Sequence, residues 1–179
     1  MPKWNIDPDH SVAAFSVRHL MVTNVRGQFG KLTGTINFDP SDIAASSVEL
    51  TIDVSSITTG IQKRDDHLRS PDFLDAEKFP SIVFKSVKAE SMGGNKGRVT
   101  GGLSVHGITK QVSLDVEFSG PVKAPFGGEI CMGFSTETVI NREDFGITWN
   151  EPLEGGGVMV GRELHLNIDI EADLIKQAG

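Results

Sequence analysis

The sequence has one cysteine, Cys131, no tyrosine and two tryptophans in 179 residues. A single thiol excludes an internal disulfide and any metal site built from cysteines alone. Positive charge is scarce too: 17 Lys and Arg stand against 24 Asp and Glu, a formal net charge of −7. A chain this acidic repels phosphate backbones, so general nucleic-acid binding is not expected. No window approaches the roughly 20 apolar residues of a membrane helix. The opening MPKWNIDPDHS has no apolar stretch of signal-peptide length behind its lysine. The expectation is a cytoplasmic protein, or a periplasmic one if an export signal has been trimmed away. Catalytic signatures are missing as well: there is no GxSxG elbow, phosphate-binding glycine loop, HExxH pair, or cysteine with a histidine close by.

What the chain does hold is alternation. Hydrophobic residues make up 38% and charged residues 23%, a balance that supports a packed core. The length is that of one domain, 1–179, which should fold from about 28,000 Å² of exposed surface to about 8,500 Å². Val48, Leu50, Ile52 and Val54 alternate with polar residues, as do Val112, Leu114, Val116 and Phe118. Leu164, Leu166, Ile168, Ile170 and Ala172 repeat the pattern near the C-terminus. Successive strand side chains face opposite ways, so each run has one dry and one wet face and reads as an antiparallel strand. Weaker runs at Phe15–His19, Leu32–Phe38, Ile82–Phe84, Val99–Val105 and Ile130–Thr136 bring the total to about eight strands. Such strands must close into a barrel or stack as a sandwich. No linker or internal repeat divides the chain.

Gln62–Ser70 breaks the pattern; it is polar, precedes Pro71, and reads as a short helix with Thr58 or Thr59 as cap. Asn141–Gly157, with Pro152 and three consecutive glycines, suits a mobile loop. Gly93-Gly94 and Gly127-Gly128 sit where hairpin turns belong. Cys131 lies within a strand run as an inert thiol. The five histidines match no metal-ligand spacing, so no metal is expected, and His165 falls on a polar face. His19 shares parity with Phe15 and Val17, as a satisfied core residue or as a polar contact inside a cavity. The charged cluster Lys63–Arg69 could pair Asp65 or Asp66 with His67 as acid and base, or it could tie a solvated helix to the strands. Arg142 and Asp144 pose the same choice.

Several blocks carry a family resemblance. Trp4-x-Ile6-Asp7-Pro8-x-His10-Ser11, Phe15-x-Val17-x-His19-Leu20 and Val25-Arg26-Gly27-x-Phe29 are followed by Ser56-Ile57-x-Thr59-Gly60, Arg64-Asp65-x-His67-Leu68-Arg69-Ser70 and Asp72-Phe73. Then come Phe79-Pro80-x-Ile82-x-Phe84, Gly101-x-Leu103-x-Val105-His106-Gly107-x-Thr109-Lys110 and Asn141-Arg142-x-Asp144-Phe145-Gly146. In this order, over nearly the whole chain, they resemble the YceI-like family of polyisoprenoid-binding proteins. Ile61 departs from the family pattern, which often has Asn there. The resemblance implies an all-β fold: an antiparallel, eight-stranded, lipocalin-like extended barrel with a short helix between strands. It also implies a long isoprenoid lipid inside, no catalytic residues, no cofactor beyond that lipid, and a homodimer.

Parity then nominates the lipid-binding wall: Phe15, Val17, Leu32, Ile36, Phe38, Leu50, Ile52, Phe84, Leu103, Val116, Phe118, Met132 and Phe134. For the head group the candidates are His19, Arg64 and Arg142, with Arg18 ranked lower because it should face outward. The leading function is non-enzymatic binding, transport or storage of a polyprenyl phosphate or an isoprenoid quinone. The alternatives are an enzyme using Asp65, Asp66 and His67 on a hydrophobic substrate, a carrier of a fatty acid or amide, and a fully packed barrel with no internal space beyond single waters.

Overall fold

The computed structural model describes residues 1–176, so residues 177–179 of the expected domain lie outside the described residues. Eleven strand segments follow one another: β1 (Lys3–Ile6), β2 (Val12–His19), β3 (Thr23–Phe29), β4 (Leu32–Asn37), β5 (Ser47–Asp53), β6 (Ile57–Thr58), β7 (Ser81–Gly93), β8 (Lys96–Val105), β9 (Ile108–Lys123), β10 (Ile130–Asn141) and β11 (Val160–Leu174). One helix, α1 (Gln62–Arg69), follows β6, and single 3-10 turns span Ile43–Ala45, Val54–Ser56 and Arg142–Phe145.

The segments form eight barrel strands, because β1/β2, β3/β4 and β5/β6 are each one strand interrupted once. Every neighbour is antiparallel: β1 and β2 pair with β4 and β3, and these pair with β5 and β6. β7 to β11 continue the meander. β11 closes the ring, laying Val160–Asp169 against β2 and Ala172–Leu174 against β1. The ring is closed apart from the two-residue β6, which has a strand neighbour on one side only, so almost no sheet edge is left without a neighbour. The sequence alternation missed β1 and β3, which are too short or too polar to show it.

Each interruption is bridged by side chains. Pro8 cannot donate to a ladder, so the chain leaves the sheet at Asp7–Ser11. There Ser11 Oγ donates to the Glu171 carbonyl (3.3 Å) and accepts from the Glu171 amide (3.1 Å). At the β3/β4 break the Lys31 amide donates to Ser56 Oγ. Helix α1 begins without a side-chain cap at Ile61. Contrary to the cap expected from Thr58 or Thr59, Asp65 reaches back from inside the helix to accept from the Thr59 amide (2.8 Å) and hydroxyl (2.6 Å).

The barrel has a helix end, with α1, the 142–145 turn and the β8–β9 turn, and a hairpin end, with the β7–β8 and β9–β10 turns. The core is densest on the β1–β4–β5–β7 side, around Trp4, Ile6, Leu32, Ile52, Ile82 and Phe84. Apart from Met132 and Ala172, the inward residues of β9, β10 and β11 are only half-buried. The accessible surface is 10159 Å², about a fifth above the value for a solid domain of this size. The barrel is hollow on one side.

Asn141–Gly157 is less free than its composition suggested. Its first residues complete β10 and a 3-10 turn that ends on Gly146 at φ 71°, a left-handed position glycine adopts without strain. Asn150 then ties the loop to β11 through bonds with both backbone groups of Val160.

Candidate functional site: an apolar cavity within the barrel

The hollow encloses about 260 Å³. One water needs roughly 10–15 Å³ by the same kind of measure, so the fully packed barrel is excluded. Along β11 the wall runs from Val160 to Ile170. At about 3.3 Å per residue and a tilt near 40°, that is roughly 25 Å along the axis.

Phe15 and Val17 of β2, Ile36 of β4 and Phe38 just after it, Leu50 and Ile52 of β5, Phe84 of β7 and Leu103 of β8 all line the cavity, as parity predicts. So do Val116, Phe118 and Phe134 on β9 and β10. The Phe38 ring packs on those of Phe118 (4.9 Å between centroids) and Phe134 (5.1 Å).

Five nominated residues stand elsewhere. Leu32 and Met132 face inward but are among the most deeply buried side chains, 0% and 1% exposed; they are surrounded by packed neighbours and present no face to the cavity. His19 has the right parity but is the last residue of β2, opposite Val160 and Thr23, and is absent from the wall. Arg64 turns back to its own helix start, donating from Nε to Thr59 Oγ1 (2.7 Å) and from Nη2 to the Thr59 carbonyl (2.9 Å). Arg18 faces outward, as ranked, and donates to the Met21 carbonyl.

Arg142 does line the cavity, yet its guanidinium is already spent. It is 3% exposed and donates to the carbonyls of Gly161 (2.8 Å), Ile147 (2.9 Å) and Val160 (3.3 Å). The β11–β2 register shifts between Val160 and Leu164, and Arg142 serves carbonyls where that ladder is interrupted. Burial lowers its pKa below the usual arginine value. No ion pair with Asp144 holds it; its partners are the three carbonyls.

Sequence reasoning missed two parts of the wall. The first is the row Leu164, Leu166, Ile168 and Ile170 with Val112 and Leu114; its alternation was legible, and only the choice of residues fell short. The second is the cap at the helix end, where Leu68, Phe73, Leu74, Phe145 and Ile147 close the cavity. Leu68 lies on the short, polar α1 and the others on irregular segments, with no periodicity to reveal their facing.

The charged cluster on α1 serves the fold. Asp65 binds Thr59, Arg69 donates to Asp66 (3.1 Å) and to the carbonyls of Ser55 and Ile57, and His67 bonds Asp72 (2.8 Å) while packing on Phe73 and Trp149. None of Asp65, Asp66 and His67 lines the cavity. On the outer surface, potential ligand atoms gather twice among the described residues, at Asp7, His10 and Glu171 and at Cys131, Glu171 and Asp173. Both groups are engaged in internal hydrogen bonds, His10 with Asp7 (2.6 Å) and Cys131 with Asp173 (3.1 Å).

The chain matches known proteins along nearly its whole length. The family model of the YceI-like domain matches residues 4–172. The chain belongs to the YceI-like family. It is 37% identical over 171 residues to a UPF0312 protein of Staphylococcus epidermidis, covering 96% of this chain and 97% of that one. A UPF0312 protein of Staphylococcus aureus is 36% identical at the same coverage. Among solved structures, BcnA of Burkholderia cenocepacia superposes with a TM-score of 0.81 at 25% identity, covering 93% of this chain and 98% of that one. The YceI protein of Campylobacter jejuni gives 0.73 at 34% identity, over 89% and 90% of the two chains. A polyisoprenoid binding domain from Saccharophagus degradans shares the fold with a TM-score of 0.68 at 13% identity, over 96% and 98%.

Proposed function

We propose that this barrel holds a long-chain isoprenoid lipid, a polyprenyl phosphate or an isoprenoid quinone, and carries or stores it without chemical change. The observation behind this reading is the wall itself: a roughly 25 Å slot lined almost wholly by aliphatic and phenylalanine side chains. Each methylene-sized group moved from water into such a slot is worth about 0.8 kcal/mol. A long hydrocarbon tail therefore gains enough to offset the cost of ordering it. Membership of the YceI-like family supports the reading, as does the name given to the S. degradans neighbour. Assembly as a homodimer belongs to the same proposal, and light scattering of the purified protein checks it.

Organic extraction of the purified protein followed by mass spectrometry is the direct test. A co-purifying prenyl chain is expected. Leu166→Trp, which places an indole in the middle of the slot, should abolish its recovery without unfolding the barrel. Delipidated protein that takes up no prenyl chain would refute the reading.

A further inference from the structure

We infer that the seam between β9 and β10 is the gate through which a long chain enters and leaves the cavity, broadside rather than end-on. The inference rests on the lipid-binding reading above and adds the route. β9 and β10 are neighbours, but their ladder stops where Thr136 stands opposite Val116. Beyond that point, among the described residues, no backbone pairing joins 108–115 of β9 to 137–141 of β10. Each stretch is paired only on its other side, β9 with β8 from Ile108 to Glu117 and β10 with β11 as far as Asn141. The stretch of β10 alone spans roughly 16 Å. Both lips of this seam are cavity wall: Val112 and Leu114 on β9, Thr138 and Ile140 on β10. Parting them opens the slot along its side.

Two clamps bound the seam. Where the ladder stops, Thr136 Oγ1 donates to the Asp115 carbonyl (2.7 Å). At the helix end His106 Nδ1–H donates to the Phe145 carbonyl (3.2 Å), and Gly146 lies against the Ile108 side chain. The other breaks in the pairing are stopped by arginines. On the free side of β6, Arg69 donates to the carbonyls of Ser55 and Ile57. At the β11–β2 shift, Arg142 donates to those of Gly161 and Val160. Both barrel ends are covered as well, the helix end by the Phe73 and Leu74 cap and the hairpin end by Ile43, which packs over Gly97. Elsewhere, parting two strands means breaking a ladder bond by bond and leaving its amides and carbonyls unpaired beside an apolar slot. Over the seam there is no ladder to break, and opening costs side-chain contacts and one clamp.

The test uses the full-length protein carrying Cys131→Ser, so that no native thiol reacts, loaded with tritiated geranylgeraniol. Ser113→Cys and Val139→Cys place one thiol on each lip; both positions are exposed and continue the register of Val116 and Thr136. Methanediyl bis-methanethiosulfonate, a short linker that reductant removes, joins them, and intact mass counts the joined fraction. Release is followed after adding excess unlabelled alcohol. The joined protein should release at least ~10-fold more slowly than the same protein after reduction, since a gate sets the exchange rate. The same linker across the fully paired β4 and β5, at Thr33→Cys with Thr51→Cys, should leave release unchanged. Thr136→Val, which removes the clamp hydroxyl and keeps the shape, should speed release about 2- to 10-fold, the worth of one hydrogen bond. Equal release from joined and reduced protein would overturn the seam as the gate and move the route to a barrel end. Equal slowing by the β4–β5 linker would overturn it too. Unchanged release from Thr136→Val would overturn the role of that clamp. A parent protein that never takes up the alcohol would instead remove the lipid-binding reading itself.

Discussion

Arg142 separates two roles that the sequence leaves entangled, and Arg142→Met distinguishes them. Methionine keeps most of the length and the apolar stem but removes every donor. The Val160 carbonyl keeps a partner, because Asn150 also donates to it at 2.7 Å. Gly161 and Ile147 lose the donors that reach their carbonyls at 2.8 and 2.9 Å. Two orphaned carbonyls cost about 2–6 kcal/mol, offset in part because a guanidinium is no longer desolvated. A net loss of about 2–4 kcal/mol lowers the melting temperature by roughly 5–15 °C for a domain of this size. Arg142→Lys, a compact donor on a shorter stem, should fall between the two. The assay is calorimetry or circular dichroism, paired with the binding order of three twenty-carbon probes (geranylgeraniol, phytane and geranylgeranyl diphosphate) measured below the transition. Stability should fall while the order of alcohol, hydrocarbon and diphosphate stays the same. A melting temperature within about 2 °C of the parent's would show that the three bonds do not hold the 147–160 loop to the barrel. A changed probe ranking would put Arg142 back among the head-group contacts.

Three further outcomes are expected. The Asp7 carboxylate raises the pKa of His10 above its usual value, and His10 lowers that of Asp7. Their pairing therefore stabilises the fold in full between the ordinary values of 3.8 and 6.5. It is lost as His10 deprotonates above that window or as Asp7 protonates below it. The gap in melting temperature between the parent and Asp7→Asn should peak near pH 5 and shrink by pH 8.5, and a flat gap would contradict the pairing. The thiol of Cys131, bonded to Asp173 and partly buried, is pushed up to about 12. Iodoacetamide at pH 8 should thus modify it far more slowly than in the unfolded chain, and Asp173→Asn should speed the reaction; equal rates would refute the effect. Leu20 (φ 49°) and Met21 (φ 63°) form the exposed tip between β2 and β3 in left-handed backbone, which costs about 1–2 kcal/mol per residue. The double change Leu20→Asn with Met21→Gly should raise the melting temperature by about 3–8 °C, and no rise would mean that packing of Met21 against Gly157 matters more.

Much of the architecture was determined by the sequence alone. Period-2 alternation marks the strands and tells which face of each is dry, because neighbouring strand side chains must point opposite ways. That rule placed Phe15, Val17, Phe84, Val116 and Phe134 on the inner wall and Arg18 and His165 outside it. Glycine pairs marked the turns, and the order of the family blocks implied a closed barrel. Parity gives a direction, however, and not what lies in that direction. Leu32 and Ile36 share a face of one strand, yet Leu32 meets packed neighbours and Ile36 meets the cavity. The difference depends on β1, β5 and β11 arriving from distant parts of the chain. The fates of Arg64 and Arg142 were equally hidden. Arg64 turns to Thr59 five residues away, Arg142 reaches carbonyls of β11 and of the loop before it, and a hydrogen bond is decided by distances of tenths of an ångström that only the assembled barrel sets.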